Sequence, residues 1–157
     1  MIKNALVLLI ALTLTFSLIH CSNKETKTDE KSTELEWFVT LEEALQAAQE
    51  EDKSIFVNFT GSDWCGWCFK LNDEVFAQSE FIQYAQDELI LLKLDFPRNL
   101  PQTEATKNYN QALLQKFKVR GFPTIILLDK FGNEINRTGY QAGGAAKYVE
   151  HLQKMID

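Results

Sequence analysis

Histidine and cysteine are scarce in this chain, two and three residues out of 157. A zinc site normally takes four ligands, so so few donors leave one short unless another molecule supplies the rest. Basic residues form no cluster: 16 Lys and Arg stand against 22 Asp and Glu, a formal charge of −6. Without a basic stripe there are too few phosphate contacts for nucleic acid, which is excluded as a partner. Glycines form neither a phosphate loop nor a dinucleotide fingerprint, so no bound cofactor is expected. The chain shows no internal repeat. Its one long apolar run, Ala5 to Ile19, is shorter than the roughly 20 residues of a membrane span.

That run has one early cation before it, Lys3, and is broken by Thr13, Thr15 and Ser17, with the first acid at Glu25. A charged start, an apolar stretch and an abrupt polar change read as an export signal over residues 1–20, with a single membrane anchor as the disfavoured alternative. Leu18-Ile19-His20-Cys21 resembles a bacterial lipoprotein box, in which the cysteine becomes the lipidated N-terminus. The position before that cysteine is normally small; His20 occupies it here and would leave with the removed peptide. Residues 21–35 (SNKETKTDEKSTE and its flanks) then make a polar tether, and residues 36–157 one domain of ordinary size. Loss of 1–20 removes Lys3 and no acid, leaving 15 basic against 22 acidic residues, a charge of −7. The expected location is periplasmic, as a lipid-anchored monomer, with a soluble periplasmic form as the alternative.

Within the domain, Thr40 and Glu43 have capping-box spacing, and Leu41, Ala44, Leu45, Ala47 and Ala48 supply an apolar face, so a helix runs to about Asp52. Ser54 to Phe59 is short, β-branched and aromatic, and reads as a strand buried on both faces. A helix carrying Phe69, Leu71, Val75 and Phe76 follows, then another capped by Ser79 with Phe81, Ile82 and Tyr84. Leu89 to Leu94 is a second buried strand. Pro97 and Pro101 mark a loop, Thr103 starts a helix with Leu113, Leu114 and Phe117, and Thr124 to Leu128 is a third strand. A turn at 129–133 leads to a hairpin partner, Glu134 to Thr138, and Gly143-Gly144 precedes a helix with Tyr148, Val149, Leu152 and Ile156. Phe56, Phe59, Phe69 and Phe76 are expected in the core. The order implies a three-layer α/β/α sandwich with a mixed sheet, a parallel core plus a C-terminal antiparallel hairpin.

Chemistry concentrates in Phe59 to Phe76, FTGSDWCGWCFKLNDEVF. If Cys21 is lipidated, Cys65 and Cys68 have each other. A disulfide closing so small a ring removes little chain entropy and is a poor staple. A metal reading would need ligands from another molecule, since His151 is the one histidine after residue 20. Position favours redox chemistry: Cys65 falls at a helix N-terminus, where unpaired N–H groups and the helix dipole favour a thiolate. Cys68, one turn on, faces the same side and can attack a mixed disulfide formed by Cys65. The expected pair is an exposed nucleophile and a shielded resolving thiol.

The segment resembles the thioredoxin superfamily, especially exported single-domain members with a WCGWC-type centre. A second mark is Val119-Arg120-Gly121-Phe122-Pro123-Thr124, similar to the loop whose cis-proline faces the active site. The resemblance covers Trp37 to Ile156. It implies a redox disulfide between Cys65 and Cys68, a cis Phe122–Pro123 bond with backbone beside it that pairs with substrate, Trp64 over the disulfide or in the core, and Trp67 between the cysteines tuning the potential. The family keeps a buried acid on the strand before the motif as proton acceptor for the second cysteine. Allowing one inserted residue in TGSD, Asn58 occupies that place, so water, Asp63, Asp73 or Glu74 must substitute, or resolution is slower. Lys93 matches the lysine neighbouring that acid, or is a solvated edge lysine.

The implied function is an exported thiol–disulfide oxidoreductase acting on protein substrates, with electrons from a protein or small thiol and a lean toward reduction. The alternative is a low-turnover peptide-binding module using the GFPT groove as a chaperone or adaptor. Lipidation at Cys21 predicts that the full chain partitions with membranes and that Cys21→Ala releases it; fractionation of cells expressing both forms checks this, and unchanged partitioning rejects the anchor.

Overall fold

The computed structural model describes residues 34–156. The signal, the tether up to residue 33 and Cys21 lie outside the described residues. Helix α1 spans Leu41–Glu51. Its N-cap Thr40 accepts the Glu43 N–H and donates its hydroxyl to the Glu43 carboxylate at 2.6 Å, satisfying one of the orphan donors of the first turn. It stops at Asp52, which takes the left-handed conformation (φ 57°) and returns its N–H to Ala48, a geometry Asp tolerates better than most residues.

Strand β1, Ser54–Thr60, is central. It pairs in parallel with β2, Leu89–Asp95, from Ser54↔Leu89 to Thr60↔Asp95, and antiparallel with β3, Thr124–Leu128, from Ile55↔Leu128 to Phe59↔Thr124. Strand β4, Glu134–Thr138, closes the hairpin on β3, with a register irregularity at Leu127/Leu128. The sheet is therefore mixed, in the order β2-β1-β3-β4. Its antiparallel part reaches into the centre, because β3 runs against β1 as well as β4. Phe38 adds a single parallel bridge to the outer side of β2.

Both faces of the sheet are covered, which is why β1 is apolar at nearly every position. On one face Ile55, Val57 and Phe59 pack with α1 and with α4, Glu104–Lys116, through Leu113 and Phe117. On the other, Phe56 packs with α3, Ser79–Glu88, and α5, Gly144–Ile156, through Phe81, Ala85, Tyr148 and Leu152. The same layer holds α2, Gly66–Leu71, which runs into a π-helical turn, Asn72–Phe76. Thr103 caps α4 by accepting the Thr106 N–H.

Two local expectations are corrected. Phe69 is 42% exposed: it stands one residue past the inward Cys68, and the π turn that follows takes Phe76, seven residues on, off its face and inward with Leu71 and Val75. Ser79 does not cap α3. The chain leaves the π turn through Gln78, whose extended backbone makes it the N-cap, and Ser79 is the first helical residue, its hydroxyl on Glu80.

Phe56 is fully buried and meets Trp37, Phe76 and Phe81 ring to ring. Phe56→Ala is expected to cost about 3–5 kcal/mol, read as a lowered urea midpoint. Phe131→Ala, at a ring 69% exposed, is expected to stay within about 0.5 kcal/mol.

Candidate active site

The end of β1 and the start of α2 are joined by residues 61–65. Gly61 is required there by close approach: a Cβ would lie 2.6 Å from the Trp64 indole. The Gly61 carbonyl accepts the Cys65 N–H at 3.0 Å. Cys65 is the N-cap of α2; its Sγ accepts the Cys68 N–H at 3.2 Å and is bonded to the Cys68 Sγ, with the two Cα atoms 5.2 Å apart. The sulfur thus takes the place of a capping oxygen.

Both half-cystines are 5% exposed. The expected contrast between an exposed and a shielded sulfur is absent in this oxidised state, because the Cys65 sulfur folds inward onto the helix end and its partner.

Trp64 is half-buried. Its indole N–H donates to the Phe96 carbonyl at 2.8 Å, its ring stands edge-on to Phe122 at 5.8 Å, and the Arg98 guanidinium lies 3.7 Å from the ring centre. Phe122 stacks in turn on Phe96 at 5.1 Å. These contacts join three segments distant in sequence: the cysteine motif, the loop after β2, and the Gly121–Thr124 loop. The Phe122–Pro123 bond is cis, and the Thr124 hydroxyl donates to the Gly121 carbonyl at 2.7 Å.

Asp63 is committed to structure. Its carboxylate accepts the N–H groups of Arg98, Asn99 and Leu100 at 2.9, 2.6 and 3.0 Å. These bonds, the one from Arg98 foremost, hold its pKa below the ordinary carboxylate value. Asp95, at the end of β2, accepts from the Ser62 N–H and hydroxyl at 2.9 and 2.5 Å. Phe96, Arg98 and Asp95 are site-building residues that sequence reasoning misses, since no spacing rule links residues 95–98 to residues 62–64.

The other flank is more open. Trp67 is 58% exposed and leans on Tyr140, ring centres 5.2 Å apart, with the Lys70 ammonium 5.6 and 5.3 Å from the two rings. The Tyr140 hydroxyl donates to Glu74 at 2.5 Å, and Lys70 pairs with Glu74 at 3.6 Å. The Glu74 bond raises the Tyr140 pKa, and the Glu74 charge raises that of Lys70. His151 is remote from this arrangement in role, sharing a 3.0 Å hydrogen bond with Thr138 at the contact of β4 and α5.

Asn58 sits mid-strand between Lys93 and Ile125. It is 5% exposed, and its Oδ1 is buried without a hydrogen-bond partner. A cleft of about 270 Å³ is lined by Asn58, Thr60, Cys68, Asn72, Asp73 and Lys93 among others. The Lys93 residue as a whole is exposed, so it is both a solvated edge lysine and a wall of this cleft.

The Asp63 bonds predict a pH effect. A depressed carboxylate pKa contributes order above its unfolded value and loses it as pH falls through the folded value. Amide exchange at Arg98, Asn99 and Leu100 is therefore expected to accelerate, relative to the rest of the chain, below the ordinary carboxylate range. Asp63→Ala should show the same local acceleration at neutral pH.

Comparison with known proteins places this geometry. The disulfide bond reductase DsbH of Chlamydia pneumoniae is 37% identical over 122 residues, 78% of this chain and 73% of that protein. The thioredoxin-related protein DsbJ of the same organism is 37% identical over 103 residues, 66% of this chain and 30% of its own length. The solved structure of a DsbH oxidoreductase superposes with a TM-score of 0.74 at 37% identity, covering 78% of this chain and 84% of that one. Residues 41–156 match the thioredoxin-like domain family, so the chain belongs to that family and is a thioredoxin-like thiol–disulfide oxidoreductase.

Proposed function

We propose that the protein is an exported reductase of protein disulfides, with Cys65 as nucleophile and Cys68 as resolving thiol. The observation that carries this is the Cys65 sulfur at the N-cap of α2, accepting the Cys68 N–H. In the reduced state the same N–H and the helix end favour the Cys65 thiolate, which is the attacking species. Cys65 attacks a substrate disulfide, one substrate sulfur leaves as thiolate, and a mixed disulfide remains. Cys68 then attacks the Cys65 sulfur, the second substrate sulfur leaves, and the protein disulfide forms. The substrate gains two electrons and two protons. An external dithiol reverses the change in the protein.

Pro123 and the backbone beside it supply the opposing wall, against which an extended substrate chain pairs. Trp64 and Phe122 hold that wall to the motif through their edge-on contact. Trp67, being exposed, is the aromatic surface offered to a substrate on the other flank. Reduction as the direction is supported by the likeness to a disulfide bond reductase. Export is supported by the apolar run after Lys3, and anchoring by Cys21.

Residues 34–157 with dithiothreitol are expected to reduce insulin disulfides, and Cys65→Ser to fall to the uncatalysed rate. Equal rates for the two proteins would leave a peptide-binding module and sink the enzyme reading. Equilibration with glutathione is expected to give a potential near the roughly −270 mV of thioredoxin, whereas a value near about −120 mV would make the protein an oxidant.

A further inference from the structure

Resolution requires Cys68 to lose its proton at a site 5% exposed to solvent. An amide cannot accept that proton, and an amide is what β1 offers at Asn58. The carboxylates near the motif separate by their commitments. Asp63 holds three backbone N–H groups, Asp95 holds Ser62, and Glu74 holds Tyr140 and Lys70. Asp73 instead lines the cleft that Cys68 and Asn58 also line. Its Oδ1 takes the Asn72 side-chain amide in a long contact of 3.2 Å.

Asp73 stands at the start of the π turn, in which the Ala77 N–H bonds the Asn72 carbonyl five residues back at 2.9 Å. At about 270 Å³ the cleft has room for several waters with polar partners on its walls. The buried Asn58 Oδ1 is an acceptor that such water can satisfy.

Resting on the reductase reading above, we propose that Asp73 relays the Cys68 proton through water in this cleft, with the Asn58 amide ordering that water. In resolution the Cys68 S–H bond breaks and its proton passes through water to the Asp73 carboxylate. The Cys68 thiolate forms the bond to the Cys65 sulfur, and the substrate thiolate leaves with the electron pair of the broken disulfide. That leaving thiolate takes up a proton from solvent, and Asp73 returns its own to solvent. When an external dithiol reduces the protein disulfide, Asp73 delivers the proton to Cys68 in the opposite sense. The charged groups facing the relay are Lys93 from β2 and Asp95, which reaches the cleft wall through Ser62. Lys70 and Glu74, on the helix of Cys68 itself, are paired with each other beside Tyr140.

The test follows single turnovers of the reduced domain with oxidised glutathione, quenched and resolved by mass spectrometry, from pH 5 to 9. Wild type is compared with D73N, D73E and D73N/N58D. Formation of the Cys65 mixed disulfide is expected to proceed at the wild-type rate in all three variants. Its resolution in D73N is expected to slow by about tenfold or more, within the range of general acid–base assistance, and to become steeply dependent on hydroxide. D73E should retain most of the wild-type rate, and N58D, which puts an acid on the wall of the cleft that Cys68 also lines, should rescue D73N. An unchanged resolution rate in D73N, or a slower rate with an unchanged pH profile, overturns the relay alone. Failure of wild type to form any mixed disulfide overturns the reductase reading and the relay with it.

Discussion

The arrangement depends on one bond, the Cys68 N–H donated to the Cys65 sulfur at the mouth of α2. A helix start leaves its first N–H groups without partners, and most chains fill that place with an oxygen. Here a sulfur fills it, so one atom both caps the helix and forms the disulfide. Holding that sulfur in register requires that the chain arrive from β1 at a fixed point and angle. Both are set by a strand sealed on two faces, with Ile55, Phe56, Val57 and Phe59 fully covered.

From that strand a chain of rings carries rigidity outward. Phe117 meets Phe59, Phe59 stacks on Phe96, Phe96 on Phe122, and Phe122 meets Trp64. Each such pair contributes about 0.5–1.5 kcal/mol beyond its area, and together they tie the proline loop to the motif through the core rather than through solvent. Hydrogen bonds from Asp63 and Asp95 brace the same junction from outside. The opposite flank, with Trp67, Lys70, Glu74 and Tyr140, is held by one short bond, one ion pair, one ring contact and a cation near two rings. One side of the disulfide is therefore braced by rings and hydrogen bonds, and the other presents an aromatic face to solvent.

Much of this was legible in order and in kind. Thr40 and Thr103 announce helix starts because a hydroxyl before an apolar period has one obvious use. The apolar runs of β1, β2 and β3 announce strands buried on both sides, and the mixed sheet follows from the way strands alternate with helices. Asn58 was also readable, as an amide in a place where an acid is expected. Phe69 and Ser79 were misread for a shared reason. Periodicity assumes 3.6 residues per turn, and the π turn at 72–76 breaks that count between them, so that Phe69 and Phe76 part faces and the next helix takes its cap at Gln78.

Local spacing was enough for the main elements and, with the family resemblance, for the Cys65–Cys68 pair and its chemistry, because these rest on which side chains stand near one another along the chain. It did not determine which carboxylate serves which purpose. Asp63, Asp73, Glu74 and Asp95 are alike as residue types. Their roles separate only when the fold brings the backbone of 98–100 to the first, a cleft to the second, a tyrosine to the third and a serine to the fourth. Hydrogen bonding and proton transfer act over about 3 Å, and distances of that order between residues far apart in the chain are fixed by tertiary packing.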